Sequence, residues 1–325
     1  MRNRLKYYVL CTALCGIIIG NTGCNSEEVS YSSRMYSLPT DLDLSDAYFI
    51  NKDTGYVSVG GLFTAGLVLG TEDGGSSWDT VGIYGTGVNS LSYQNGLFTA
   101  SVCGQRMYSS SDFANWSFTN APLGWWNWQK HTRLADNRVL LVGGENFGRG
   151  FIHLYTPSQG KLMLKDTFDH ELTDIIATSN RTIHAVGYGL IMKSTDEGNS
   201  WVPSSVTGDF FRGIDFVDNN IGYVVGEYGS VYKTENGGNS WQSCRLGNSV
   251  FTDQTKLFRD IAFLDASTGF LVGTNNMVFR TTNGGQVWKQ ITNLDGYADF
   301  NAIRIQNGKA YLTGQEGNLL IIDLE

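Results

Sequence analysis

Two arginines occupy the same place in two near-identical phrases. DFFRGIDF (209–216) aligns with KLFRDIAF (256–263) so that Arg212 falls on Arg259, and Asn301 of DFNAIRI takes that place in a third copy. Neighbouring guanidiniums present rigid forks of N–H donors, the geometry that captures carboxylates and other oxyanions. Each could instead pair with an adjacent acid, Asp209 or Asp260, and only link two segments. Gln129 or Lys130 is the counterpart in a further copy. A second cluster is GWWNW (124–128). Its Trp125, Trp126 and Trp128, beside Lys130 and His131, could form a stacking platform for a sugar or peptide, since exposed aromatic clusters mark interaction sites. The same rings could equally cover an apolar surface.

Asp46, Asp174, Asp215 and Asp260 lie on or beside apolar runs. Glycoside hydrolysis needs two carboxyl groups a fixed distance apart, so a converging pair would suit a carbohydrate-active enzyme, and bonding to backbone is the plainer role. The histidines, at 131, 153, 170 and 184, show no metal-site spacing. His184 stands where Tyr223 and Phe270 stand in sister phrases, which reads as a packed core residue. No phosphate-cradling loop and no nucleophile elbow occurs, so no metal or nucleotide cofactor is expected. The formal charge of −8 would repel a phosphate backbone and argues against nucleic acid as a partner.

An internal repeat must position these residues. TEDGGSSW (71–78), STDEGNSW (194–201), TENGGNSW (234–241) and TTNGGQVW (281–288) are near copies; SSDFANW (110–116) is a degraded fifth, and TPSQGKL (156–162) stands where a sixth is expected. Upstream of the boxes run short apolar phrases closed by glycine, such as TGYVSVG, IGYVVG and TGFLVG, which read as strands. Four strands per unit, repeated at intervals of ~40 to 50 residues, mark a β-propeller. Seven units fit residues 33–325 best, with six or eight as alternatives. The last unit ends at LLIIDLE one strand short, and SRMYSLP (33–39) resembles the missing outer strand. The N-terminal segment is therefore expected to complete the final blade and remove an open edge.

The box itself reads as a folding device. Gly198 supplies a positive φ, Ser194 and Asp196 bind backbone N–H groups across the turn, and Trp201 buries a large ring. Two copies carry Asn in place of the acid, so no shared metal or sugar chemistry can rest on it. The box resembles that of sialidases, but this chain lacks their Arg-Ile-Pro segment.

The first residues, MRNRLKYYVLCTALCGIIIGNTGC, place Arg2, Arg4 and Lys6 before a short apolar stretch, the layout of a secretory signal. Cys24 after Asn-Thr-Gly resembles a bacterial lipobox, and the acidic tract behind it resembles the surface-export signal of lipoproteins in the Bacteroides group. The expected organisation is a signal peptide over 1–23, a tether over 24–32 lipidated at Cys24, and the propeller over 33–325. This would anchor a monomer in the outer membrane of a Gram-negative cell envelope, facing the surface. Cys103 and Cys244 fall in blades that are not neighbours and are expected to stay unbridged.

The phrases GYVVGEYGSVYKTENGGNSW (222–241) and TGFLVGTNNMVFRTTNGGQVW (268–288) resemble the photosystem II stability/assembly factor-like propellers within the BNR/Asp-box repeat group. The likeness covers most of residues 40–325 and is best in blades four to six. In photosynthetic members the propeller is an assembly factor that binds a membrane protein through an arginine-rich face. The resemblance implies that Arg212 and Arg259 match that face, with Ser45, Asn89 and Thr173 at the same register in other blades, so the basic patch is partial. The leader suggests a heterotrophic relative with a changed partner. The expectation is a non-enzymatic lipoprotein that binds a protein or glycan on its channel face; the alternative is a xyloglucanase-like glycosidase.

Overall fold

A computed structural model describes residues 31–324, apart from 62, 105, 114, 123–126, 146, 179–180 and 245–256. The expected signal peptide, Cys24, Trp125 and Trp126 therefore lie outside the described residues. The compact unit begins at Tyr31, whose ring meets the edge of Phe270.

Among the described residues the chain forms seven four-stranded antiparallel sheets. Six are continuous in sequence. The seventh combines the three last strands with Ser33–Ser37, which pairs with Asn318–Asp323 in the register Ser33 to Ile322 through Ser37 to Asn318. The closure read from SRMYSLP is present, one strand of the N-terminus sealing the ring. The innermost strands are Leu44–Phe49, Val88–Gln94, Trp128–Arg133, Leu172–Ala177, Phe211–Phe216, Phe258–Phe263 and Phe300–Gln306. Between the third and fourth strands of the third blade, where the decayed box was expected, a single turn of 3-10 helix spans Pro157–Gln159 and ends on left-handed Gly160.

The middle strands read Val-Val or Leu-Val between glycines because both their faces are covered by neighbouring blades, so they are apolar throughout rather than alternating. Val224, Val225, Leu271 and Val272 are fully buried. Between blades the packing is aromatic: Tyr223 stacks on Phe263 at 3.8 Å, Tyr311 on Phe49 at 3.8 Å, and His184 on Phe216 at 4.2 Å. His184 is fully buried and has the core position its sister residues implied.

The boxes hold their own turns. The hydroxyls of Thr71, Ser194, Thr234 and Thr281 accept the N–H of Gly75, Gly198, Gly238 and Gly285 at 2.9, 2.7, 2.8 and 3.0 Å. Asp196 Oδ1 accepts the Ser200 amide at 2.8 Å, and Asn236 and Asn283 accept the amides of Ser240 and Val287 at 2.9 Å each. Amide and carboxylate do the same work here, because the turn needs only an acceptor. In antiparallel units the first-to-second and third-to-fourth connections share one end of the ring, and the others share the opposite end. The boxes therefore sit away from the end where the innermost strands begin.

Candidate functional site

Every innermost strand carries a β-bulge near its start, where the pairing register slips between residues such as Leu44 and Asp46, Phe211 and Gly213, or Phe258 and Asp260. A bulge re-aims side chains. The residue inside each bulge, Ser45, Asn89, Gln129, Thr173, Arg212, Arg259 or Asn301, lines one cavity of about 290 Å³ at the mouth of the central channel. The register read from sequence thus brings Arg212, Arg259 and Asn301 to one place. Of the two third-blade options, Gln129 is the true counterpart, and Lys130 lines the mouth one position further on.

Most of this ring is committed to joining blades. Asn89 Nδ2 donates to the Trp128 carbonyl at 2.5 Å, the Thr173 hydroxyl to the Phe211 carbonyl at 2.6 Å and Asn301 Nδ2 to the Leu44 carbonyl at 3.1 Å, each reaching the next blade. The Ser45 hydroxyl donates to the Gly60 carbonyl at 3.1 Å. Arg212 Nε donates to Glu227 at 2.7 Å, and its guanidinium lies 4.1 Å over the Phe210 ring. Its partner is thus Glu227 and not Asp209, which instead accepts the Tyr228 amide at 2.9 Å. Arg259 differs from the rest. Its one hydrogen bond among the described residues goes to neutral Asn301 Oδ1 at 3.3 Å, and its buried Nε has no partner.

Trp128 does not belong to the mouth. Of the two roles left open for these tryptophans, platform and cover, Trp128 takes the second and drops out as a ligand contact, because the ring is fully buried and its Nε1 donates to His153 at 3.2 Å. It packs with Met107, Phe151 and Tyr155, so it is a core residue of the third blade. Its neighbour Asn127 lines the mouth instead.

Below the mouth the channel holds a charged cluster. Asp46 lies 3.0 Å from Arg304 and 3.9 Å from Lys130. Burial opposes the charge on Asp46, but Arg304 and Lys130 outweigh it and hold the carboxyl below its usual range. Burial and the field of Asp260 push Asp174 up to about 7, and burial pushes Asp215 up to about 6. Such separated carboxyls suit acid/base chemistry, yet their oxygens are already engaged. Asp174 accepts the amides of Ile175 and, from the next blade, Ile214 at 2.8 and 3.1 Å. Asp260 takes Ile261 and Ile303 at 2.9 and 3.0 Å, and Asp215 takes Phe216 and Phe263 at 2.9 and 2.7 Å. Gly213 has no side chain because a Cβ there would lie 2.7 Å from Asp260 Oδ1. These acids are inter-blade rivets.

Among the described residues no group of three or more His, Cys, Asp or Glu is arranged to hold a metal. Cys103 and Cys244 are free thiols. Sequence reading gave these acids their backbone-bonding role but not their partners in the next blade, and it missed the aromatic group beside Arg212, because both depend on which neighbouring-blade atoms a side chain reaches.

Fold and repeat define an Asp-box β-propeller of seven blades. Residues 248–323 match the family model described as photosynthesis system II assembly factor YCF48. Over those residues the chain is similar to the photosystem II assembly factor propellers, and solved structures of such proteins share its fold. A solved structure of YCF48 bound to a D1 peptide is 18% identical over 90% of this chain and 95% of that one, with a TM-score of 0.70. YCF48 from Cyanidioschyzon merolae gives 18% identity, 90% and 98% coverage and 0.71. Virginiamycin B lyase from Staphylococcus aureus, an enzyme, superposes at 0.75 with 10% identity, over 91% and 100% of the two chains. Fold alone therefore does not separate binding from catalysis. No curated protein matches the chain at a significant level.

Proposed function

We propose that this propeller is a non-enzymatic docking protein whose channel mouth takes an acidic segment of a protein partner. Arg259 is the observation that carries the reading: a half-buried guanidinium at the mouth with one neutral partner and an unpaired Nε. A carboxylate would satisfy it with charge-assisted bonds. Lys130 adds a second cation at the floor, and Arg212, already shared with Glu227, adds a weaker third. The solved YCF48 complex with a D1 peptide supports a peptide as the kind of ligand. A glycosidase is disfavoured because the channel carboxylates are engaged with backbone amides.

The leader supports a secreted protein lipidated at Cys24 and tethered to the outer membrane, so the partner belongs to the envelope or the cell surface. Loss of lipid labelling in Cys24→Ser, with the unsubstituted chain labelled, is the expected result.

Docking is tested with Ser/Gly decapeptides carrying two glutamates, against the same peptides carrying two glutamines, by fluorescence polarisation. The glutamate set should bind more tightly and weaken with added salt. Arg259→Gln should lower its affinity by about tenfold. Equal binding of the two sets, or an unchanged affinity in Arg259→Gln, would overturn the reading.

A further inference from the structure

Beside the mouth, three aromatic rings from three different blades form a triangle. Phe147 comes from the third blade, Tyr188 from the fourth and Phe210 from the start of the fifth. Their centroids are separated by 5.7 Å (Phe147 to Tyr188), 5.4 Å (Phe147 to Phe210) and 5.5 Å (Tyr188 to Phe210). Phe210 is buried, whereas Phe147 is 55% and Tyr188 43% exposed. Arg212, a lining residue of the mouth, lies over Phe210. The triangle and the mouth are thus one continuous surface.

The backbone beneath is fixed. Phe147 N–H donates to Glu171 Oε2 at 3.1 Å, Tyr188 N–H donates to the Glu171 carbonyl at 2.9 Å, and Tyr188 pairs with Phe210 as an isolated β-bridge. Glu171 is itself buried, so one residue ties two of the three loops, Phe147 through its carboxylate and Tyr188 through its main-chain carbonyl. Phe147 also sits at φ 60°, the left-handed region where a bulky residue is an outlier. Glycine would occupy that position without strain. A large apolar side chain that is both strained in backbone and left in water contributes little to folding, and such outliers cluster where ligands are held.

We infer that this triangle is the apolar half of the docking site and receives an aromatic side chain of the same protein segment whose acidic group reaches Arg259. The inference rests on the acidic-segment reading above and adds to it a second recognition element. Rings 5 to 6 Å apart at an angle leave an open face for a fourth ring to pack against edge and face. Held in place by Glu171, they lose little freedom on binding, which favours affinity.

The test uses the Ser/Gly decapeptides with two glutamates, with one phenylalanine moved through the remaining positions, titrated against the wild-type protein, Phe147→Gly and Arg259→Gln. Phe147→Gly removes the ring and the backbone strain together, so it should fold at least as well as the wild type; thermal unfolding checks this. The expected result is that phenylalanine at one or two positions tightens wild-type binding by roughly tenfold, that Phe147→Gly loses this gain while still preferring glutamate to glutamine, and that Arg259→Gln loses the glutamate preference. Glutamate preference without any gain from phenylalanine, or with the same gain in Phe147→Gly, would overturn the platform and leave the acidic mouth standing. Binding indifferent to both Arg259 and Phe147 would overturn both. If Phe147→Gly fails to fold, Tyr188→Ser serves as the second variant and must show the same selective loss.

Discussion

At the box end of the propeller Asp196 serves its own turn: Oδ1 takes the amide of Ser200 and Oδ2 its hydroxyl at 2.7 Å. At the opposite end Arg259 has a single neutral acceptor and an idle Nε. Positive φ occurs at both ends, at Glu197 and Phe113 in the boxes and at Phe147 beside the mouth. What differs is the cover, since Phe113 stacks on Tyr56 at 3.6 Å whereas Phe147 is 55% exposed. The unpaired groups at the box end, the indole N–H of Trp201 and of Trp288 and the His184 ring, are neutral and packed between blades, so folding accounts for them. The unpaired group at the mouth belongs to a cation that lines an open cavity, and this contrast is the reason to place recognition there.

The contrast can be broken by stability measurements. Trp288, 6% exposed and edge-on to Phe263, should be the costliest of the positions compared: Trp288→Ala is expected to lower stability by about 3 kcal/mol, through lost burial and the cavity left behind, without changing peptide binding per folded molecule. Ser194→Ala, which removes the acceptor for the Gly198 amide, should cost about 1 kcal/mol, again with binding intact. Denaturant titration reads both. Arg259→Gln should shift stability by less than about 0.5 kcal/mol while lowering affinity for the glutamate peptides. Equal losses of stability and binding in all three would erase the distinction between the two ends.

A pH dependence sharpens the box end. Burial holds His184 down to about 3, and both its ring nitrogens are buried without partners. The sister residue Tyr223 reaches the Gly284 carbonyl of the next blade with its hydroxyl at 3.0 Å. Because the folded pKa is depressed, the unfolded chain binds the extra proton first. The contribution of His184 to stability is complete above about pH 6.5 and is lost progressively as pH falls toward 3. His184→Tyr should donate to Gly237 as Tyr223 does to Gly284, raise Tm by about 2 °C at pH 7, and reduce the further loss of Tm between pH 6.5 and 4. An unchanged acid profile would show that His184 does not contribute to it.

The repeat made the architecture legible. Trp78, Trp201, Trp241 and Trp288 counted the blades, TPSQGKL marked the decayed unit, and SRMYSLP supplied the closing strand, because each signal is local and recurs. The register of Arg212, Arg259 and Asn301 was readable for the same reason, since a bulge at a constant place in every blade keeps equivalent residues equivalent. Trp128 was left between two roles because a tryptophan one residue from the mouth looks the same in sequence whether it faces solvent or His153. The rivets of Asp174, Asp215 and Asp260, and the triangle of Phe147, Tyr188 and Phe210, join residues of different blades, and no spacing along the chain records such a meeting.

Hydrogen–deuterium exchange with and without the tightest-binding glutamate decapeptide tests the central claim most directly. Protection confined to the mouth loops, at Gly60 and Gly61, Tyr188 and Phe210 to Arg212, with the boxes at 71–78, 194–201, 234–241 and 281–288 unchanged, is the predicted result. Protection centred on those box hairpins, with the mouth loops unaffected, would contradict it.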